Sequence, residues 1–203
     1  MLPFIYCITI QGIFQTLCIT ITYNYVVAGS SEQLRFYNEK LLRIKVLANL
    51  FMKEKGIYST ARNTPEIDVI MRKYPKAVCS SKSAFFYHSL TDVIPDHYYL
   101  ATRRSDTRIK DPRVVQSFLK DDLYEAGIME LQYNNSNIRI YDRERILIEL
   151  MRFRSKTPMD YYKEIIQSYR KLTFELDFGL VEDYAAMFKN GTTLMNMIQM
   201  EVL

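Results

Sequence analysis

The chain has 203 residues, of which 48% are apolar, and its formal net charge at pH 7 is +4. This length allows one domain of ordinary size with a smaller second one, and the apolar content is ample for a packed core. The scarcity of proline and glycine argues against long disordered linkers, and three cysteines without a CxxC pair argue against a disulfide framework or a zinc site.

The charges are distributed unevenly along the chain. Residues 32–82 contain eleven lysines and arginines against five acidic residues, whereas residues 121–203 contain ten against fourteen. A basic first part suits a polyanion such as DNA, and an acidic second part suits a solvated helical surface or a basic protein partner. The plainer interpretation, in which both are ordinary solvated surfaces, carries similar weight at this stage.

Residues 1–31 contain no charged side chain, and the run is long enough to be considered as a membrane span. Threonine, glutamine and asparagine recur within it, however, and the alternation of isoleucine and threonine near Cys18 is typical of a β-strand. No positively charged segment of the kind that opens a secretory signal precedes it. The sequence leaves open a membrane or signal role, a buried extension of atypical composition, and a true start of the protein further along the chain.

Residues 32–62 combine a predicted helix with a basic pair of strands. Apolar residues at a spacing of three to four, beginning with Leu34, Tyr37 and Leu41, predict a helix over residues 33–50. Residues 50–58 then alternate enough to form two short strands. A helix followed by a basic hairpin is typical of a winged-helix unit, in which helix side chains enter the major groove and basic groups hold phosphates. The candidate DNA-binding residues are Arg35, Lys40, Arg43, Lys45, Lys53 and Lys55.

The transition to a second domain is predicted near Arg62, where residues 61–65 are polar and turn-like. Apolar residues at Ile67, Ile70 and Met71 then predict a short helix. The predicted organisation is an uncharged extension over residues 1–31, a winged-helix-like part over residues 32–62 and a larger domain over residues 63–203.

The larger domain is predicted to begin with a strand and a capped helix. Residues 77–79 are apolar and follow a tyrosine-proline pair that holds the chain extended, so they predict a buried strand. Ser80 or Ser81 is expected to cap a helix of about three turns. Pro95 is expected to stop that helix, because proline disfavours the helical conformation of the residue before it.

A mixed sheet is predicted between residues 97 and 141. Asn134 and Asn135 supply a turn between its last two strands. Residues 103–110 form a basic loop, and helices are expected at the flanks of the sheet. The strands are expected at residues 97–101, 114–119, 129–132 and 138–141.

The remainder of the chain is predicted to be helical. Asp142 is expected to cap the first helix of this part. Thr157 and Pro158 are expected to open the next one as its N-cap and first residue, and Gly191 to end the third with a left-handed cap. The helices are expected over residues 143–153, 159–172 and 180–188 and from Thr193 onward.

No catalytic arrangement is visible in the sequence. His88 and His97 are the only histidines, and neither lies at a motif spacing from a serine or cysteine nucleophile. His88 is expected to be a hydrogen-bonded core residue, and Cys79 a small core residue. The glycines form no phosphate-binding loop. The sequence therefore predicts a protein that is not an enzyme and has no cofactor and no metal site.

Two groups of short motifs carry a resemblance to a known family. The first is Gly56-Ile57-Tyr58-Ser59, Tyr74-Pro75, Ser80, Ser83-Ala84, His88, Leu90-Thr91-Asp92 and Pro95. The second is Ile138-Arg139-Ile140-Tyr141, Glu144-Arg145 and residues 147–152. In their order and spacing they resemble the AbiEi family, and the similarity covers residues 41–203.

Members of that family are the antitoxin half of bacterial abortive-infection toxin–antitoxin pairs, and many repress their own operon. The resemblance implies a winged helix whose wing ends at the Gly-Ile-Tyr motif. It also implies a nucleotidyltransferase-like toxin that is antagonised without the need for a stable complex, in the arrangement called type IV. The implied partners are thus operator DNA and this toxin, and the antitoxin surface is expected around Arg139, Arg143 and Arg152.

The predicted fold class is α+β, with a partial or atypical winged-helix N-terminal part followed by a mixed sheet-and-helix domain that ends in a helical region. The predicted function is that of a cytoplasmic antitoxin and autoregulator in phage defence. The alternative is a membrane-attached interaction protein without enzymatic activity that uses residues 1–31.

Overall fold

The computed structural model of the chain describes residues 6–7, 20–22, 25–27, 51–55, 57–59, 61–134 and 136–203. The chain divides into two compact units, Met1–Pro75 and Lys76–Leu203. The described residues confirm the α+β class, since they form seven α-helices and include a mixed five-stranded sheet. The helix predicted over residues 33–50, on which the winged-helix interpretation depends, lies outside the described residues.

The first unit contains a sheet in which neighbouring strands run antiparallel. The predicted hairpin of residues 50–58 is confirmed, with an irregularity of register between Met52 and Glu54. The alternation near Cys18 corresponds to the second strand. In the spatial order β1-β2-β3-β5-β4, the strands are β1 (Tyr6–Cys7), β2 (Thr20–Thr22), β3 (Tyr25–Val27), β4 (Phe51–Glu54) and β5 (Ile57–Ser59).

The helix α1 (Glu66–Lys73) of the first unit confirms the short helix predicted from its apolar residues. It packs against β5, where Ile57 and Val69 belong to one buried apolar cluster. An ion pair joins the helix to β4, with Lys73 Nζ lying 2.9 Å from Glu54 Oε2. The hairpin is therefore held by contacts on one helix rather than by its own two strands alone.

The second unit is organised on a mixed sheet. The short strand β6 is central, running antiparallel to β7 and parallel to β10, while β8 runs parallel to β7 and β9 antiparallel to β10. All five strands predicted for this region are confirmed within two residues. In the order β8-β7-β6-β10-β9, they are β6 (Val78–Cys79), β7 (Tyr98–Arg103), β8 (Val114–Leu119), β9 (Ile128–Tyr133) and β10 (Ser136–Tyr141).

Six helices accompany this sheet in the described part of the second unit. The helix α3 is an addition to the predicted elements. Two short 3-10 turns, Arg154–Lys156 and Thr173–Glu175, connect α4 to α5 and α5 to α6. The helices are α2 (Ser81–Tyr87), α3 (Asp121–Glu125), α4 (Arg143–Arg152), α5 (Met159–Lys171), α6 (Phe178–Ala186) and α7 (Gly191–Glu201).

The core of the second unit is formed by the central strands and α4. Every residue of α4 from Arg145 to Met151 is buried, as expected for a helix that is covered on all sides. Asp142 caps this helix as predicted, accepting a hydrogen bond from the backbone N–H of Arg145 at 2.7 Å. Cys79 is fully buried in β6, and burial raises the pKa of its thiol to about 12, which confirms its role as a core residue.

The helix α2 ends earlier than predicted, and for a different reason. It stops at Tyr87, and Ser89 takes a left-handed φ of 57°. The backbone N–H groups of Ser89 and Leu90 donate to carbonyls in the last turn of the helix, which is a Schellman ending. The helix is therefore stopped by its own backbone termination rather than by Pro95.

Two of the predicted helix caps are wrong. Pro158 rather than Thr157 occupies the N-cap position of α5, and the Thr157 hydroxyl donates instead to the carbonyl of Phe153 at 2.9 Å. Gly191 does not end α6 but begins α7. A Cβ atom at Gly191 would lie 2.5 Å from the carbonyl oxygen of Ala185, so close packing explains the glycine. No helix of the described residues is long and apolar enough to cross a membrane.

Candidate functional site

A cavity of about 770 Å³ lies in the second unit, at the β8 edge of the sheet. It is open to solvent on one side and is lined by residues of β7 and β8, the first residues of α2, the end of α4 and the first turn of α5. One acidic side chain, Glu149, lines it together with five basic ones. We call it the basic cavity, and its cations are Lys82, Arg104, Lys120, Arg152 and Lys156.

The floor of the basic cavity consists of paired residues from β7 and β8. Tyr99 lies beside Val115, and Ala101 lies beside Ser117, in the parallel register of the two strands. All four line the cavity, as expected because residues two apart on a strand share one face. The small side chains of Ala101 and Ser117 leave space between their bulkier neighbours.

Two of the cations lie at the same end of the sheet because the two strands that precede them are parallel. Arg104 follows β7 and Lys120 follows β8, and these strands are parallel, so their carboxyl ends coincide. The backbone N–H of Arg104 donates to the carbonyl of Leu119 at 2.8 Å, which fixes the two ends beside each other. The edge beyond the carboxyl ends of parallel strands is a common position for ligand sites.

The walls of the basic cavity come from α2 and α4. The backbone N–H of Ser81, which has a left-handed φ of 48°, donates to the carboxylate of Glu149. At the end of α4, the guanidinium carbon of Arg152 lies 4.1 Å from the ring centroid of Phe188. The same helix thus carries a buried carboxylate on the cavity wall and an exposed cation at its last residue.

Most cations of the basic cavity have no acidic partner. Among the described residues, Arg104, Lys120 and Lys156 form no ion pair. Lys82 Nζ lies 4.0 Å from Asp96 Oδ1, but both side chains are largely exposed. An exposed pair at this distance contributes little, so the positive charge of the cavity remains available to an anion.

The single carboxylate of the basic cavity is compensated from inside the protein. Glu149 Oε1 lies 3.3 Å from Nη2 of Arg145, and both side chains are buried. Burial raises the pKa of Glu149, while the neighbouring Arg145 and Arg152 lower it. Burial lowers the pKa of Arg152, and attraction to Glu149 opposes this shift. Since Arg145 balances Glu149, the five cavity cations keep an excess of positive charge.

Arg145 belongs to the fold rather than to the cavity lining. It is fully buried, and its guanidinium carbon lies 5.3 Å from the ring centroid of Tyr141 and 5.4 Å from that of Phe188. Its Nη2 donates to the carbonyl of Leu123 at 3.4 Å, whereas Nε and Nη1 have no hydrogen-bond partner among the described residues. The two ring faces supply part of the stabilisation that hydrogen bonds would otherwise provide.

Aromatic rings alternate with the cations around the basic cavity. Phe153 is 41% exposed, although a ring of this size is usually more deeply buried. Lys82 Nζ lies 5.3 Å from the ring centroid of Tyr99. Burial raises the pKa of Tyr161 to about 12, so its hydroxyl remains a hydrogen-bond donor at neutral pH.

The three arginines predicted for the antitoxin surface lie in different surroundings. Arg152 lines the basic cavity, whereas Arg143, at the other end of α4, pairs with Glu175 at 3.0 Å. The two arginines are nine positions apart along the helix, which corresponds to about 14 Å along the axis. Arg139 lies on β10 opposite Glu130 of β9. Only Arg152 is therefore brought to the cavity.

Two of the six predicted DNA-binding residues can be placed. Lys53 lies on β4, where its Nζ donates to the carbonyl of Arg62 at 2.5 Å and lies 5.9 Å from the ring centroid of Phe51. Lys55 is exposed in the turn of the hairpin. The other four, namely Arg35, Lys40, Arg43 and Lys45, lie outside the described residues.

The two histidines have structural partners. Nε2 of the buried His88 donates to the backbone carbonyl of Tyr141 at 2.7 Å, which confirms the prediction of a hydrogen-bonded core residue. Burial lowers the pKa of His88, so the ring is neutral and carries its proton on Nε2. His97 Nδ1 lies 3.1 Å from Asp96 Oδ2 at the surface. Within the described ranges, no group of three or more His, Cys, Asp or Glu side chains could hold a metal ion.

Sequence reasoning identified one of the five cavity cations, Arg152, and connected it with none of the others. They are spread from Lys82 to Lys156 on separate elements, so no local pattern joins them. The usable signal was the placement of Arg104 and Lys120 within three residues of the ends of two predicted strands. A parallel pairing of those strands brings the two cations together, and only the folded sheet reveals that pairing.

The sequence was also compared with known proteins. No protein-family model matches it, and no curated protein matches it. The proposal of a function therefore depends on the motifs of the sequence, on the contacts between them in the second unit and on the β4–β5 hairpin.

Proposed function

We propose that this protein is the antitoxin of a bacterial abortive-infection toxin–antitoxin pair. In this proposal it acts in the cytoplasm without enzymatic activity of its own, counteracts a nucleotidyltransferase-like toxin and represses its own operon by binding operator DNA. The support comes from the resemblance to the AbiEi family and from the contacts that the second unit makes between the second group of motifs and the members of the first group from Ser80 onward.

The observation that best supports the proposal is that residues of the two motif groups contact each other in one core. Ile140 of the second group lies in β10, beside Cys79 in the strand that precedes the first-group helix α2. His88 of the first group donates its hydrogen bond to the carbonyl of Tyr141 of the second, 53 residues away along the chain. Motifs that meet in this way are expected of a single family domain.

The state of the buried polar groups supports a role without catalysis. With a pKa of about 12, the Cys79 thiol stays protonated and is a poor nucleophile. The His88 ring is buried and bonded to a backbone carbonyl, whereas a general base must reach a proton of its substrate. Both groups therefore serve packing in this proposal.

The hairpin of the first unit supports the DNA-binding part of the proposal. The β4–β5 hairpin carries Lys53 on β4 and Lys55 in its turn, and Lys55 is exposed. In a winged helix such a hairpin lies beside the duplex, and its lysines contact phosphates without reading sequence. Sequence selectivity would then come from Arg35, Lys40, Arg43 and Lys45.

The toxin-antagonism part is tested by co-expression with the toxin gene next to its own. We expect the wild-type protein to restore growth, and Arg139→Ala, Arg143→Ala and Arg152→Ala each to reduce the rescue. Lys189→Ala, which removes another exposed cation, is the matched control and should rescue fully. Unchanged toxicity in the presence of soluble wild-type protein would refute the proposal.

The DNA-binding part is tested by fluorescence anisotropy with DNA from directly upstream of the gene, over a series of salt concentrations and against a scrambled duplex. Wild type should prefer the upstream duplex. Lys53→Ala with Lys55→Ala should weaken binding to both duplexes and reduce the salt slope by about two units, one for each phosphate contact. Lys171→Ala with Lys189→Ala is the charge-matched control. Equal affinity of wild type for both duplexes would rule out autoregulation through this unit.

A further inference from the structure

We propose that the basic cavity binds a nucleoside triphosphate, with the polyphosphate held by its cations and the base against its exposed aromatic rings. This inference goes beyond the antitoxin proposal and does not depend on it. It rests on the arrangement of charge, rings and volume within the second unit alone.

The charge arrangement selects a compact polyanion. Arg104 and Lys120 stand together at the carboxyl ends of β7 and β8, and Arg152 and Lys156 line the same cavity from the end of α4 and the turn after it. A polyphosphate chain can engage several such cations at once through charge-assisted hydrogen bonds. The only carboxylate in the lining, Glu149, already has a buried partner in Arg145 and so offers little repulsion.

The aromatic rings give the ligand a second feature besides its charge. Phe153 lines the basic cavity and is 41% exposed, and Tyr99 lies on the cavity floor. Exposed rings beside unpaired cations are typical of sites that stack a nucleobase while holding its phosphates. Inorganic phosphate or a simple acid would use the cations and leave the rings uncovered.

The volume favours a small molecule over a long nucleic acid. The cavity of about 770 Å³ falls within the range of about 300–1,000 Å³ that is usual for small-ligand sites. Its cations converge from strands, helices and a turn around one space instead of following a line. A nucleic acid chain is normally held in an extended groove in which cations track the backbone.

The first experiment is isothermal titration calorimetry on the full chain with ATP, inorganic tripolyphosphate and adenosine as separate probes. We expect saturable binding of one ATP per chain, weaker binding of tripolyphosphate and weaker binding still of adenosine. The ATP affinity should fall as salt is added, since the cations are accessible to solvent. No detectable binding of ATP would overturn the proposal, and so would equal affinities for ATP and tripolyphosphate.

A matched pair of double variants locates the polyphosphate. Arg104→Gln with Lys120→Gln removes two cavity cations that have no ion pair among the described residues, and should weaken ATP binding by about tenfold or more. Arg108→Gln with Lys110→Gln removes the same charge from the neighbouring exposed loop, outside the lining, and should leave the affinity nearly unchanged. Equal weakening of ATP binding in both double variants would mean that net charge alone explains the effect, and the proposed site would be overturned.

A variant of one aromatic ring distinguishes the contribution of the base to binding from that of the phosphates. Phe153→Leu keeps an apolar side chain at a partly exposed position but removes the stacking face. It should weaken ATP binding several-fold and leave tripolyphosphate binding unchanged. Equal losses for the two probes would show that Phe153 acts on the shape of the cavity, and the base-stacking part of the proposal would fail.

A competition experiment tests whether the cavity binds a free nucleotide or a nucleic acid. A variant of the hairpin tests whether the first unit takes part in ATP binding. Lys53→Gln with Lys55→Gln should leave ATP binding intact, because these lysines belong to the hairpin. A single-stranded RNA hexamer without a 5′-triphosphate should not displace ATP. If this RNA displaced labelled ATP at lower concentrations than unlabelled ATP does, the assignment of a nucleotide as the ligand would be overturned.

Discussion

The two ends of helix α4 differ in what surrounds their arginines. Near the N-terminal end, Arg145 is fully buried between two aromatic rings and lies 3.3 Å from Glu149. At the C-terminal end, Arg152 is exposed, lines the basic cavity and has no ion pair among the described residues. Since seven residues make about two helical turns, the two arginines project from the same side of the helix.

Residue type and helical position therefore do not decide the role of an arginine. Arg145 is covered by Tyr141 and Phe188, so its charge has to be balanced by Glu149 and by the ring faces. Arg152 keeps contact with solvent and remains open to a ligand. Glu149 connects the two ends, because it balances the buried arginine and also lines the cavity.

The largest expected effect is a difference in the free energy of unfolding between variants of the two arginines. Arg145→Met leaves Glu149 buried without its partner, and we expect the free energy of unfolding to fall by about 3–5 kcal/mol. Arg152→Met removes an exposed cation and should cost less than about 1 kcal/mol. Urea unfolding followed by circular dichroism measures both changes. Equal losses in the two variants would contradict the contrast between the two ends.

A double variant identifies the origin of the larger loss. Arg145→Met combined with Glu149→Leu removes both buried charges, and apolar replacement of such a pair is often neutral or stabilising. The native pair is incompletely satisfied, because Nε and Nη1 of Arg145 have no partner among the described residues. We therefore expect the double variant to regain most of the lost stability. A double variant as unstable as the single one would assign the loss to packing instead.

The second effect comes from the backbone beside Arg145. Gly127 has a φ of 78°, and a Cβ atom there would lie 2.7 Å from Cβ of Arg145. Gly127→Ala should lower the free energy of unfolding by about 1–3 kcal/mol, because it adds both backbone strain and overlap. Thermal and urea unfolding measure the change. A loss below about 0.5 kcal/mol would mean that this end of α4 is less tightly packed than the contacts indicate.

The third effect is a pH dependence of stability at the same end. Burial lowers the pKa of His88 below its ordinary value of 6.5, so the unfolded chain takes up the proton first as the pH falls. Its contribution is therefore complete above about pH 6.5 and is lost below it, with a slope of at most about 1.4 kcal/mol per pH unit. Urea unfolding of wild type and His88→Gln between pH 5 and pH 8 measures it.

The His88→Gln variant is the control because its amide can donate to the same carbonyl but does not titrate. Wild type should lose stability relative to this variant as the pH falls below 6.5. Other groups, such as Glu149 and Asp142, have raised pKa values and influence the absolute curves in the opposite direction. The difference between the two proteins removes their contribution. A difference that stays constant over this range would contradict the assignment to His88.

The smallest effect has the opposite sign and lies away from α4. Ser89 is exposed and takes the left-handed conformation that ends α2, which glycine adopts without strain. Ser89→Gly should therefore raise the free energy of unfolding by about 0.5–1 kcal/mol. Ser89→Ala, which keeps a Cβ atom, should give no gain. A destabilised glycine variant would argue against the left-handed ending.

Elements with a local signal were predictable from the sequence. Asp142 precedes an apolar helix and caps it, and Asn134 takes a left-handed φ of 47° in the turn that its residue type favours. The hairpin of the first unit and the five strands of the second also follow local patterns. Gly191 was misinterpreted because its nearest constraint is the carbonyl oxygen of Ala185, a contact that no pattern around the glycine indicates.

Local sequence patterns predict most of the strands and helices that the structure describes, although not α3, because apolar spacing, caps and turn residues act over one or two turns of chain. The sequence also shows that the first part is rich in cations. Tertiary packing alone encloses Arg145 and brings Arg152 into one cavity with Arg104 and Lys120. The burial of a charge depends on residues from distant segments that pack around it, and the parallel pairing of β7 with β8 is such a long-range choice.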